Sequence, residues 1–217
     1  MYRGREPTDS EIDMRDYSTM EADLIVIDES NSFSESRRKD RQYLTVVCSR
    51  TSDYSRFEKI SDSIPTVKGV RKKYWNLRPP EVAKVVQDIE KFTETELIIT
   101  EEHKYIRYEN LEDPDSKADF YFSVLQNAIE NSIRIRPDRA MIIILDTPPV
   151  DIYDRLWELG ERLHTVYPNI TWFETRISSG TRVLQSQDII TGLVADDVEG
   201  KDRNKDSFGR LKRYLRR

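Results

Sequence analysis

The alternation of helix and strand patterns in the second half of the chain most constrains its fold. From residue 113 to residue 199 the order is helix, strand, helix, strand, helix, because short apolar runs at 140–146 and 170–177 separate three segments with apolar residues at helical spacing. Strands that are joined through helices usually pair in parallel. This half therefore predicts an α/β arrangement on a parallel sheet.

The first half adds an antiparallel pair of strands. The apolar run 22–28 and the run 42–49 are joined by a short polar connection, which is typical of a hairpin-like pair. A helix is predicted to begin near Pro79, and a further strand follows at 96–100. Together, the two halves predict one mixed sheet with helices on both faces.

The chain length and composition suit one domain. At 217 residues with 37% hydrophobic content, the chain is long enough to bury a core. We predict a disordered or loosely docked leader at 1–20, a folded domain at 21–200 and a basic tail at 201–217. No apolar stretch approaches the roughly 20 residues that cross a bilayer. The start of the chain also lacks a secretory pattern, so no membrane partner and a cytoplasmic location are expected.

The charge distribution bears on the partner class. A formal net charge of -5 argues against a protein that coats nucleic acid indiscriminately. A local cluster of basic residues nevertheless offers candidate contacts for a phosphate backbone: Lys68, Arg71, Lys72 and Lys73. A solvated loop is the other interpretation of this cluster.

Three aspartates occupy positions that are typical of a metal site. Asp28 and Asp146 each end a buried apolar run, and Asp188 lies on the last predicted helix, near Gly192. A carboxylate at the end of a buried strand loses hydration, and a divalent cation held between several carboxylates offsets that loss. Oxygen ligands without histidine suit Mg2+ or Mn2+ better than zinc. Gly192 is expected to let the helix backbone approach a strand closely.

Each aspartate also has a purely structural interpretation. Asp146 precedes a turn and would accept turn hydrogen bonds, and Asp28 would cap the loop at Ser30. Asp188 would pair with an arginine such as Arg182 or Arg176.

Three motifs in order carry a resemblance to a known family. They are Ile27-Asp28-Glu29-Ser30, Ile144-Leu145-Asp146, and the segment from Leu184 to Gly192 that contains Asp188. Over roughly residues 22 to 198 the chain resembles the domain-of-unknown-function family 3800, whose members look like RNase H-fold proteins. Asn31 stands where that family usually has glycine, and Gln187 stands where it usually has alanine.

The resemblance implies an RNase H-like fold and a metal-dependent nuclease. It implies Asp28, Asp146 and Asp188 as ligands of Mg2+ or Mn2+, with nucleic acid as the substrate. Glu29 is the candidate fourth catalytic acid, provided that the strand ends or bends there, since successive strand residues point to opposite faces.

Two alternatives remain open at this point. The first is a catalytically silent RNase H-like module that binds nucleic acid or a protein partner, and it is favoured if a lysine or arginine occupies the centre of the acids. The second is an aspartyl phosphotransferase, although its typical Asp-x-Asp motif is absent at Asp28.

Overall fold

The computed structural model describes residues 21–30, 43–107, 111, 113–148, 150–153 and 155–216. In chain order the elements are β1 (Ala22–Ser30), β2 (Tyr43–Thr51), α1 (Tyr54–Ile60), β3 (Thr66–Val67), β4 (Val70–Arg71), α2 (Pro79–Ile89), β5 (Leu97–Tyr105), α3 (Pro114–Ile135), β6 (Ala140–Asp146), α4 (Val150–Tyr153), α5 (Leu156–Val166), β7 (Ile170–Arg176), α6 (Arg182–Val198), α7 (Lys205–Leu211) and β8 (Leu215–Arg216).

Six of these strands form one mixed sheet in the order β7-β6-β1-β2-β5-β8. β2 is antiparallel to β1, as the short connection after β1 predicted, and it is also antiparallel to β5. β7 is parallel to β6, as the helical connection between them predicted, and β6 is also parallel to β1. The predicted α/β fold, a mixed sheet with helices on both faces, is confirmed.

Helices cover both faces of the sheet, and side-chain alternation along β1 divides the core accordingly. Leu24 and Val26 pack with α1, α2, α6 and α7 on one side, which we call the α6 face. Ile25 and Ile27 pack with α3 and α5 on the other side, which we call the α3 face. This alternation decides which face each side chain at the end of β1 reaches.

The helix boundaries follow local signals. Asp113 precedes α3 and accepts a hydrogen bond from the backbone N–H of Ser116 at 2.8 Å, while Pro114 occupies the first turn. Gly200 follows α6 with a φ of 69°, a conformation that favours glycine. No helix in the described ranges is both long and apolar enough to cross a membrane.

The predicted basic tail at 201–217 is not a tail. Its helix α7 buries Phe208 and Leu211 in the core on the α6 face, and Tyr214 is buried beside them. β8 then joins the sheet edge, where Leu215 pairs in parallel with Ile99. The domain therefore extends past Gly200, because apolar residues among the basic ones pack against the core. The predicted leader at 1–20 lies outside the described residues.

Candidate metal centre

β1 and β6 bring Asp28 and Asp146 side by side. The parallel register pairs Ile27 with Leu145, so the two aspartates follow at the same end of neighbouring strands, with their backbones about 4.8 Å apart. Both aspartates are in phase with residues that pack on the α6 face, such as Val26. Their side chains therefore lie on the side of the sheet that α6 covers.

α6 places Asp188 over this pair. The preceding residue, Gln187, is fully buried and donates from Nε2 to the carbonyl oxygen of Val47 at 2.9 Å. Val47 is the residue of β2 that lies opposite Asp28 in the sheet register. The charges of Asp146 and Asp188 both raise the pKa of Asp28. The structure thus brings together the three aspartates that the sequence singled out.

A lysine lies among these carboxylates. The Nζ atom of Lys73 is 3.7 Å from Oδ1 of Asp188 and 4.0 Å from Oδ2 of Asp146. The same amino group donates a hydrogen bond to Oγ of Ser178. The side chain of Lys73 keeps 32% of its surface exposed. The arrangement matches the condition that favours the silent-module alternative, because a cationic side chain already occupies this position.

Backbone hydrogen bonds orient two of the three carboxylates. Oδ1 of Asp146 accepts from the N–H of Thr147 at 2.9 Å and from the N–H of Ser178 at 3.0 Å. Oδ2 of Asp188 accepts from the N–H of Tyr74 at 2.8 Å. In each carboxylate the other oxygen is the one nearest to Lys73. The turn hydrogen bonds considered for Asp146 are present, and they leave this second oxygen for a cation.

The predicted arginine partners of Asp188 lie elsewhere. Arg182 pairs with Glu58 at 3.6 Å and also contacts Asp62. Arg176 donates to Glu174 at 2.6 Å. Among the described residues, the cation that contacts Asp188 is Lys73 instead.

The positive charge of Lys73 is not enough to offset the burial of the three carboxylates. Burial raises the pKa of Asp28, the neighbouring acids raise it further, and Lys73 lowers it only in part. Burial likewise raises the pKa of Asp146 and the pKa of Asp188, against the lowering effect of Lys73. A single amino group therefore does not offset the burial of three acids.

Glu29 lies on the opposite face of the sheet. β1 continues regularly through Ser30, and Glu29 pairs with Val46, so the bend that would turn this side chain toward the aspartates is absent. Burial raises the pKa of Glu29 to about 8, and the nearby hydroxyl of Tyr121 on α3 lowers it only in part. Within the described residues, neither that hydroxyl nor Oε2 of Glu29 makes a hydrogen bond of normal geometry. The catalytic role of Glu29 stays a prediction.

The other basic residues predicted to contact nucleic acid do not enter the centre. Lys68 is exposed at the β3–β4 turn, where its φ is 53°. Arg71 pairs with Asp62 at 3.2 Å, and Lys72 pairs with Glu81 at 2.9 Å. Their contact with a phosphate backbone stays a prediction.

The donor set suits a divalent cation in kind, although the centre is not preformed. In the conformation described, no group of three or more His, Cys, Asp or Glu side chains in the described ranges is arranged to hold a metal ion. Asp28, Asp146 and Asp188 nevertheless offer the hard oxygen ligands that Mg2+ and Mn2+ prefer. The amino group of Lys73 already lies next to Asp146 and Asp188. A metal ion can therefore bind to both carboxylates only if the side chain of Lys73 moves.

The sequence did not predict that Lys73 and Tyr74 contact the aspartates. Lys73 was predicted only as a candidate contact for a phosphate backbone, and Tyr74 was not predicted as a site residue. Gly192 was the available signal, because it predicted a close approach. The group nearest to Gly192 is the ring of Tyr74, since a Cβ on Gly192 would lie 2.2 Å from Cδ1 of that ring.

Comparisons with known proteins leave the family open. No family model matches the chain, and no curated protein matches it. Among solved structures the chain is similar to a chain in the structure of the PCNA:RNase HII complex from Archaeoglobus fulgidus, with a TM-score of 0.44 and 16% sequence identity. That match covers 88% of this chain and 76% of the other. A similarity this low transfers no residue role, and the resemblance to family 3800 stays a prediction.

Proposed function

We propose that this protein is a metal-dependent nuclease in which Asp28, Asp146 and Asp188 bind Mg2+ or Mn2+. The observation that carries the proposal is the convergence of three aspartates on one face of the sheet. Asp28 and Asp188 are buried and Asp146 is half-buried, and both Asp146 and Asp188 contact Lys73. Their raised pKa values indicate that the charge of this lysine is insufficient.

The orientation of the carboxylates supports cation binding. Backbone N–H groups hold one oxygen of Asp146 and one oxygen of Asp188, and the remaining oxygen of each is the one nearest to the amino group. Because these bonds come from the backbone, they persist when the amino group leaves. A bound divalent ion supplies an activated water and stabilises the charge that develops on the phosphate.

Nucleic acid is the proposed substrate class. Phosphodiester hydrolysis is a reaction that carboxylate-bound magnesium performs, and the resemblance to family 3800 points to the same chemistry. The exposed Lys68 on the β3–β4 turn offers a contact for a phosphate backbone.

A nuclease assay tests the proposal. Single-stranded, duplex and RNA–DNA hybrid substrates are incubated with Mg2+ or Mn2+ and with wild type, Asp146→Asn or Asp202→Asn. Asp146→Asn should lose about a hundredfold or more in rate, because the substitution removes a ligand charge. Asp202→Asn is the matched control, since Asp202 is exposed and pairs only with Lys205 at 3.3 Å among the ion pairs of the described residues. Equal rates for wild type and Asp146→Asn would refute the proposed site.

A catalytically silent binding module is the second candidate, and the position of Lys73 favours it. The amino group of Lys73 lies within 4.0 Å of Asp146 and Asp188 and already neutralises part of their negative charge. This candidate predicts that wild type cleaves none of the substrates with either metal, while it still binds nucleic acid or a protein partner.

A further inference from the structure

Two consecutive residues attach the segment after β4 to the candidate centre. Lys73 reaches Asp146 and Asp188 through its side chain. Tyr74 reaches Asp188 through its backbone N–H, at 2.8 Å from Oδ2. One short stretch of chain therefore supplies both a cation and a hydrogen-bond donor to the same carboxylate.

Tyr74 is fixed on α6 by its side chain as well. Its ring lies against Gly192, where any Cβ would overlap it, and the residue is only 3% exposed. Its hydroxyl donates to Oδ2 of Asp196 at 2.6 Å and accepts from Nδ2 of Asn204 at 2.7 Å. Tyr74 thus holds the backbone of Lys73 beside the aspartates.

The side chain of Lys73 is held much less firmly than its backbone. It keeps 32% of its surface exposed, and its contacts with the carboxylates are 3.7 and 4.0 Å long, beyond normal hydrogen-bond length. The hydrogen bond that its amino group donates goes to Oγ of Ser178, a small hydroxyl group. A long flexible side chain with access to solvent can swing away while its backbone stays in place. The amino group of Lys73 can therefore leave the carboxylates while the backbone of Lys73 stays in place.

We propose that Lys73 is an internal cation that competes with a divalent ion for Asp146 and Asp188, and that Tyr74 is the positioning residue that anchors it. This inference rests on the proposed function, because it concerns the same aspartates. An ammonium group this close to two carboxylates repels an incoming cation and has to be displaced by it. Lys73 therefore sets the affinity of the centre for metal.

Direct measurement of Mn2+ binding tests the inference without any substrate. The free Mn2+ signal in electron paramagnetic resonance is titrated with the full-length wild type, Lys73→Met, Lys72→Met and Asp146→Asn. Lys73→Met should bind Mn2+ about tenfold more tightly or better, since a nearby positive charge is removed. Lys72→Met removes the same charge one residue earlier, where the amino group pairs with Glu81, and should stay within about twofold of wild type.

A second measurement on the wild-type protein covers the case in which Lys73→Met does not fold. The 15N resonance of the Lys73 amino group is followed while diamagnetic Mg2+ is added. Displacement predicts that this resonance moves to the position of a solvated lysine as Mg2+ binds. In Tyr74→Phe, which loses the bonds to Asp196 and Asn204, the same amino protons should exchange faster with solvent before any metal is added.

The outcomes separate this inference from the proposed function. The inference is supported if Lys73→Met binds Mn2+ more tightly than wild type while the affinity of Lys72→Met is unchanged. It is also supported if Lys73→Met binds Mn2+ and the other three proteins do not. Equal affinity of Lys73→Met and wild type, together with loss in Asp146→Asn, overturns the role of Lys73 but keeps the metal site. Absence of Mn2+ binding in every variant overturns both.

Discussion

Gly192→Ala is expected to destabilise the protein although it replaces glycine in a helix. The new Cβ would lie 2.2 Å from Cδ1 and Cγ of Tyr74 and 2.8 Å from Cε1. The two shorter distances are more than about 1 Å below ordinary carbon–carbon contact, and the third is at least about 0.7 Å below it. Tyr74 cannot retreat easily, because its hydroxyl is bonded to Asp196 and Asn204 and its N–H to Asp188.

The size of the effect follows from three contributions. Overpacking a filled core costs about 1–3 kcal/mol. Displacing the ring weakens its hydroxyl hydrogen bonds, each of which contributes about 1 kcal/mol. Alanine gains about 1 kcal/mol over glycine in helix propensity. We therefore expect the free energy of unfolding to fall by about 2–4 kcal/mol, since the clash meets an anchored ring.

Urea unfolding followed by circular dichroism measures this change, and Gly209→Ala is the matched control. Gly209 lies within α7, and a methyl group added there would have nothing within 4 Å, so alanine should be neutral or stabilising by up to about 1 kcal/mol. In a Tyr74→Ala background the ring is absent, and Gly192→Ala should then carry little cost. Equal stability of Gly192→Ala and Gly209→Ala would contradict the anchoring role of Tyr74.

Three further predictions concern the core and the ionisable groups. Arg50 is fully buried and donates from Nε to Asp23 at 2.8 Å, so Arg50→Met should lower the urea-derived unfolding free energy by about 3–5 kcal/mol; a loss under about 1 kcal/mol would contradict this. Burial raises the pKa of Glu29 from 4.5 to about 8, so folding takes up a proton and its stabilising contribution is lost as pH rises through that window. The urea midpoint should therefore fall less between pH 5 and pH 8 in Glu29→Gln than in wild type, and parallel pH profiles would count against it. Burial also raises the pKa of the Cys48 thiol, so a thiol reagent should label it only after denaturation, and rapid labelling of the native protein would argue against its burial.

Most of the fold was predictable because its signals are local. The strand at Ala140–Asp146 and the helix at Pro79–Ile89 lie where the sequence predicts them. β5 is longer than predicted because its second part, from Glu101 to Tyr105, is a polar and largely exposed edge without an apolar pattern. α7 was not predicted, because the many basic residues of this segment obscure the helical spacing of Phe208 and Leu211.

Only part of the candidate site was predictable from the sequence. Asp28 and Asp146 were predictable as neighbours, because parallel strands present their carboxyl ends at one edge of a sheet. Lys73 and Tyr74 were not, since Tyr74 meets Asp188 across 114 residues of sequence and through a segment without regular strand or helix pattern. Such a contact depends on the path of a loop, which hydrophobic periodicity does not encode.

A crystal structure of the wild-type protein with Mn2+, measured at a wavelength that gives manganese anomalous scattering, tests the central claim most directly. We predict an anomalous peak bound by oxygens of Asp28, Asp146 and Asp188, with the amino group of Lys73 moved away from the carboxylates. Absence of a peak at saturating Mn2+, with Lys73 still in contact with Asp146 and Asp188, would contradict the claim that these aspartates form a metal site.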